Sequence, residues 1–225
     1  MKKSRSGDIA VLGVFIALII VLQAIAEVIQ LFGMAISLAL GLIPVLVLAQ
    51  IKGAKMGALG GLAFGLTSLV IAVIRAAAVP MFAIAINPLV SVFPRVMSGL
   101  IAGLVYSAMS RRCQSAARGG LNSAVSALSG VLTNTVLFLS MFLAFAFGRT
   151  YGPTTVNFSW LLGAIVAVNT VVEAAAYVAI VPAIVFALQK AQIKLAEAKM
   201  DAAIPAENEN SEAESSPELE EKSGE

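Results

Sequence analysis

Long apolar blocks, each near or above the roughly 20 residues that cross a bilayer, constrain this chain more than any other feature. Polar breaks leave six of them, at about 9–29, 33–51, 57–75, 84–109, 121–147 and 160–188. Charged residues make up 12% of the sequence, about half of the ~25% usual in soluble domains. Hydrocarbon offers no water to satisfy backbone groups, so helices are the spanning elements this pattern allows. The predicted fold is an all-α integral membrane protein, a six-transmembrane-helix bundle over residues 1–199. The first block lacks a small-residue cleavage site after a short core and reads as a span, not a cleaved signal.

Positive charge sets the expected orientation. Lys2, Lys3 and Arg5 precede the first span, and Lys52 and Lys55 lie between the second and third. Arg111, Arg112 and Arg118 separate the fourth from the fifth, and Lys190, Lys194 and Lys199 follow the sixth. Only Arg75 and Arg149 fall in the alternate loops. Cytoplasmic loops carry the excess of Lys and Arg, so both termini are expected in the cytoplasm of a prokaryotic cell. Tyr151 and Trp160 then fall at the outer boundary, where aromatic belts form. Residues 200–225 carry nine acids against Lys222 alone. Such a segment buries too little apolar surface to fold and reads as a disordered acidic tail.

Composition also excludes chemistry. There is no histidine, and Cys113 is the only cysteine. That removes His-ligated metals, haem and Ser–His hydrolysis. No phosphate-binding GxxxxGK[ST] loop occurs, so any ATP-driven work needs another subunit. No cofactor, metal or nucleic acid is expected, and no catalytic residue is assigned.

Ionisable residues inside a span point to function by default. Asn87, Ser91, Arg95 and Ser98 share one face of the fourth span by their spacing, as do Asn122, Ser126, Ser129 and Thr133 of the fifth, with Asn134 beside them. Asn169, Glu173 and Tyr177 form a third stripe in the sixth. Arg95 lies sixteen residues before Arg111, Asn134 sixteen after Arg118, and Glu173 seventeen before Lys190. At a helical rise each sits roughly 24–26 Å above the inner boundary. Two readings fit. Arg95 and Glu173 could form a buried structural ion pair with the amides as interhelical glue. Alternatively the level is a pocket open to the outside, in which Arg95 offers a planar fork to an anionic ligand and Glu173 orients it. Glu27 and Arg75 fall near the outer ends of spans one and three and read as interfacial residues. The proline-broken "RAAAVPMFAIAINP" between spans three and four reads as a re-entrant or capping loop.

Small residues mark seams. Gly53, Gly57, Gly61 and Gly65 recur every four residues, and Gly99 and Gly103 form a further pair. Most of these suit packing within the bundle. Ala10, Gly13 and Ala17 in the first span, with Ala24 above them, are the best candidate for an external partner seam.

Taken in order, "GVFIALIIVL", "IPVLVLAQIKGAKMGALGGLAFGL", "NPLVSVFPRVMSGLIAGLVY" and "TNTVLF" resemble the substrate-binding S components of energy-coupling factor (ECF) vitamin transporters, over residues 8–190. The resemblance implies a non-enzymatic subunit that captures a water-soluble vitamin in the outward half and associates with a transmembrane T subunit and two cytoplasmic ATPases. It implies ligand contacts from Arg95, Asn134, Glu173, Asn87, Ser91, Thr133, Asn169 and Tyr177, and a T-subunit seam at Ala10, Gly13 and Ala17. The "NPLVSVFPR…TNT" pattern most resembles pantothenate-type members, with riboflavin, folate and a pyrimidine precursor still open. Few aromatics are expected in the pocket, which argues against a large flat ring. The alternative function is an autonomous secondary transporter of a small organic solute.

Overall fold

The structure, a computed structural model, describes residues 5–31, 39–112, 116–151, 154–155 and 174–195. Asn169, Glu173, Trp160, Cys113 and the acidic tail lie outside the described residues. The chain divides after Val185 into two units.

The first unit is built on helices α1 (Arg5–Leu31), α2 (Leu42–Lys52), α3 (Ala54–Ala76), α4 (Pro88–Ser91), α5 (Phe93–Arg112) and α6 (Ala116–Ala146). A 3-10 helix, Pro80–Ile86, joins α3 to α4. Beyond α6, Thr150–Tyr151 and Thr154–Thr155 form a two-residue antiparallel ladder, pairing Thr150 with Thr155 and Tyr151 with Thr154. A further helix, α7 (Ala174–Leu195), follows. Among the described residues, five helical stretches are long and apolar enough to cross a membrane: Ser6–Ile29, Ala54–Ala76, Pro88–Arg111, Gly119–Ala146 and Ala174–Leu195. The second unit begins within the last of these; its helical residues, Phe186–Leu195, are almost all exposed.

The segment read as the second span departs from expectation. Among the described residues it contributes only the eleven-residue α2, about 16 Å of helix. Residues 32–38, on which the rest of that reading fell, are outside the described set. What α2 lacks in length it makes up in burial. Every residue from Pro44 to Gln50 is buried, and Val45, Leu46, Leu48 and Ala49 have no exposed surface. A helix apolar on all sides belongs in the middle of a protein, and the core indeed forms around α2, with Ile19, Phe64, Ala102, Ala127, Val131, Tyr177 and Val181 packed about it.

Gly53 ends α2 and starts α3 with φ +91°. A side chain would strain that backbone, so a single residue reverses the chain between two helices. From there α3 presents its glycine stripe to α5. A Cβ on Gly57 would lie 2.5 Å from the Gly99 carbonyl, and one on Gly65 would lie 2.7 Å from Cα of Val92. The two backbones come this close because α3 carries glycines along its side of the seam.

Polar bonds tie α5 to α6 along the same direction. Ser98 Oγ donates to the Gly130 carbonyl at 2.7 Å, and Ser126 Oγ to the Ala102 carbonyl at 2.8 Å. Nearer the Lys52 end of α2, Gln50 Nε2 donates to the Ser123 carbonyl at 3.2 Å while Ser123 Oγ donates back to Gln50 Oε1 at 2.5 Å. Serine hydroxyls and the Gln50 amide thus bond α5 to α6 and α2 to α6.

Candidate functional site

The stretch "NPLVSVFPR" builds the break that places Arg95. Asn87 takes an extended conformation and its side chain accepts the Leu89 N–H at 3.0 Å, capping α4, whose first residue is Pro88. Asn and Pro are the residues those two positions favour. Four residues later α4 ends, and Pro94 lies in the first turn of α5, where its missing N–H costs no intrahelical bond. A helix as short as α4 ends with unsatisfied carbonyls. Arg95 Nη1 folds back onto one of them, donating to Val90 O at 2.9 Å. A cation at a helix C-terminus is favourable on charge grounds as well.

The guanidinium is then held between rings. Its central carbon lies 4.7 Å from the centroid of Phe138 on α6 and 5.9 Å from that of Phe64 on α3. Phe142 extends the aromatic wall, its ring 5.9 Å from Phe138. Weakly hydrated and planar, a guanidinium suits such a slot better than an ammonium would. One turn before Phe138, Asn134 turns its Oδ1 into the interior, where it is buried without a hydrogen-bond partner among the described residues. Arg95 and Asn134 therefore flank one aromatic wall. This corrects the expectation of few aromatics: Phe64 and Phe138 face the arginine, and Phe142 stands behind Phe138. The sequence places Phe138 on the face of Asn134, four residues on, but does not say which rings meet Arg95.

Other residues of the predicted set have partners inside the protein. Ser91 Oγ donates to the Ala85 carbonyl, fastening α4 to the 3-10 helix. Thr133 Oγ1 donates at 2.7 Å to the Ser129 carbonyl one turn back in its own helix. Tyr177, 1% exposed, donates its hydroxyl to the Ala39 carbonyl at 2.7 Å and anchors the strand of chain entering α2. Asn87 serves as the α4 cap. No group of three or more acidic or cysteine side chains that could hold a metal occurs among the described residues.

Two ion pairs clip α1 at both ends. Glu27 Oε2 lies 2.8 Å from Arg75 Nε on α3, and the Arg75 guanidinium also sits 5.2 Å over the Phe82 ring of the 3-10 helix. Asp8 Oδ1 lies 2.7 Å from Lys52 Nζ on α2. Between the clips nothing among the described residues covers the other face of α1: Ala10, Gly13 and Ala17 are exposed together with Ile9, Val14, Leu18 and Val21.

No protein-family model matches the chain. It is 33% identical over 205 residues to the pantothenic acid transporter PanT of Lactococcus lactis subsp. cremoris (strain MG1363), across 85% of this chain and 98% of that relative. The chain belongs to that transporter's family, the S components of ECF vitamin transporters. As an S component it is a multi-pass membrane transport protein and not an enzyme. The exposed apolar surface of its helices is the surface a bilayer covers.

Proposed function

We propose that this S component is the substrate-capture subunit of a modular ATP-driven importer, binding pantothenate in an outward-facing pocket around Arg95. The observation that carries the reading is the guanidinium held between Phe64 and Phe138 beside the buried Asn134 Oδ1. Such a pocket asks for a ligand with an anionic end for Arg95 and a hydrogen-bond donor for the asparagine carbonyl. Pantothenate has both: a carboxylate at one end, and hydroxyls and an amide N–H along its length. The similarity to a pantothenic acid transporter supports the same substrate.

In this reading six helices span the membrane with both termini cytoplasmic, as the Lys and Arg distribution favours. Glu173 and Asn169 complete the pocket from the sixth span, and Asn87, Ser91, Thr133 and Tyr177 frame it through their bonds to backbone. The exposed Ala10–Gly13–Ala17 face receives a T subunit, which couples the protein to two ATPases. Residues 200–225 form a cytoplasmic tail outside the transport unit.

Calorimetry on the purified chain in detergent tests the substrate. Pantothenate is expected to bind at least a hundredfold more tightly than riboflavin, folate or a pyrimidine, and absence of pantothenate binding would overturn the reading. Uptake by vesicles holding this chain alone, driven by an ion gradient, would establish an autonomous secondary transporter instead.

A further inference from the structure

Gln23 lies in the middle of α1, yet it is only 8% exposed, and its Oε1 is buried with no hydrogen-bond partner among the described residues. An amide oxygen in that state has lost its water without gaining a donor, which is costly inside a protein. Its surroundings say why it is kept. Oε1 lies 2.9 Å from the point that a Cβ on Gly41 would occupy, and two ring carbons of Phe64 lie 2.8 Å from the same point. Gly41 therefore leaves room for the amide and the ring to meet. That ring is also the one beside the Arg95 guanidinium.

Depth agrees with this placement. Gln23 follows Asp8 by fifteen residues, so it stands roughly 22 Å along α1 from the Asp8–Lys52 pair. Arg95 and Asn134 stand at about that height above their own basic anchors. One turn beyond Gln23, the Glu27–Arg75 pair closes α1 against α3. The glutamine thus faces inward beneath a clip, on a helix whose opposite face is bare.

We propose that Gln23 Oε1 accepts a hydrogen bond from a hydroxyl or amide N–H of the bound ligand, making α1 a wall of the pocket and Gln23 a specificity-determining residue. The assignment rests on the pocket reading above and sharpens it. With Asn134, one turn from Phe138, it gives two buried acceptor oxygens along the rings that hold the Arg95 guanidinium, a pattern that selects an anion bearing several donors and rejects a simple fatty or aromatic acid. A site built around such acceptors discriminates strongly against analogues that lack the donor, because the orphaned group stays buried.

The test uses the full chain, wild type and Gln23→Met, a swap that keeps length and volume while removing the polar atoms. Binding is measured by calorimetry with pantothenate, its two mono-deoxy analogues and its N-methyl amide. Thermal unfolding is measured without ligand. The expected result is that Gln23→Met unfolds no lower than wild type yet binds pantothenate ten- to a hundredfold more weakly. One of the three analogues is expected to bind both proteins equally, marking the donor. Equal pantothenate affinity in the two proteins overturns the assignment, and so does a ligand-free unfolding temperature several degrees lower in the variant, which would mark a structural amide. If Arg95→Ala weakens binding while Gln23→Met does not, the pocket stands and this assignment alone falls. If wild type binds no pantothenate, both fall.

Discussion

Gly61 on α3 lies directly against the backbone carbonyl of Arg95, so close that any Cβ at residue 61 would overlap it. Arg95 is thus located by a residue that has no side chain. Extending the chain at this point must push α5 off α3 and carry the guanidinium away from Phe64. Gly61→Val is expected to lower stability by about 1–3 kcal/mol, the usual cost of overpacking, and to weaken pantothenate binding although residue 61 reaches no ligand. Thermal unfolding and calorimetry on the same preparation check both effects.

Arg95→Lys keeps the charge and loses the plane. A lysine can neither bond a carboxylate through two parallel N–H groups nor lie flat between Phe138 and Phe64. The expected loss of pantothenate affinity is about thirtyfold or more, corresponding to roughly 2 kcal/mol. Affinity within threefold of wild type would show that charge alone matters there.

How much of this was legible in the sequence depends on which interaction placed each residue. The expectation that Arg95 and Asn134 lie at one level came from counting along helices, because helical rise is fixed by the backbone. The glycine stripe of α3 pointed to close packing, and its partner, the Gly99 face of α5, was the other small-residue pair in view. The aromatic wall was missed since Phe64 and Phe138 are far apart in sequence, and apolar rings in a membrane helix look like lipid-facing residues until the helices are assembled. The Glu27–Arg75 and Asp8–Lys52 pairs were missed for the same reason: pairing partners lie on different helices. Gln23 carried no signal beyond being a polar residue in an apolar span. The near-total burial of α2 was hidden because a helix apolar all round reads identically whether protein or lipid surrounds it.

Ser123 and Gln50 offer a test of structure without function. Ser123→Ala removes the hydroxyl that donates to Gln50 Oε1 at 2.5 Å and leaves that buried oxygen unsatisfied. A loss of about 1–3 kcal/mol in stability is expected. Pantothenate affinity should stay unchanged, since the pair ties α2 to α6 well below the level of Arg95. Unfolding in ligand-free detergent against calorimetry separates the two outcomes, and an affinity loss as large as that of Arg95→Lys would place this pair in the pocket.

Gly13 is the counterpart of Gly61. A Cβ there meets nothing within 4 Å, and its neighbours Ala10 and Ala17 are exposed on the same helix. A larger side chain therefore costs the isolated protein nothing in packing, yet it fills the close approach that a small-residue seam provides to another helix. Gly13→Leu is expected to unfold within a degree or two of wild type and to bind pantothenate with unchanged affinity. Co-purification with a T subunit and its ATPases, and ATP-dependent uptake in reconstituted vesicles, should both drop at least tenfold. Normal uptake by the variant would move the partner surface off this face of α1, whereas a stability loss like that of Gly61→Val would mean that α1 packs within the bundle on the side that now stands bare.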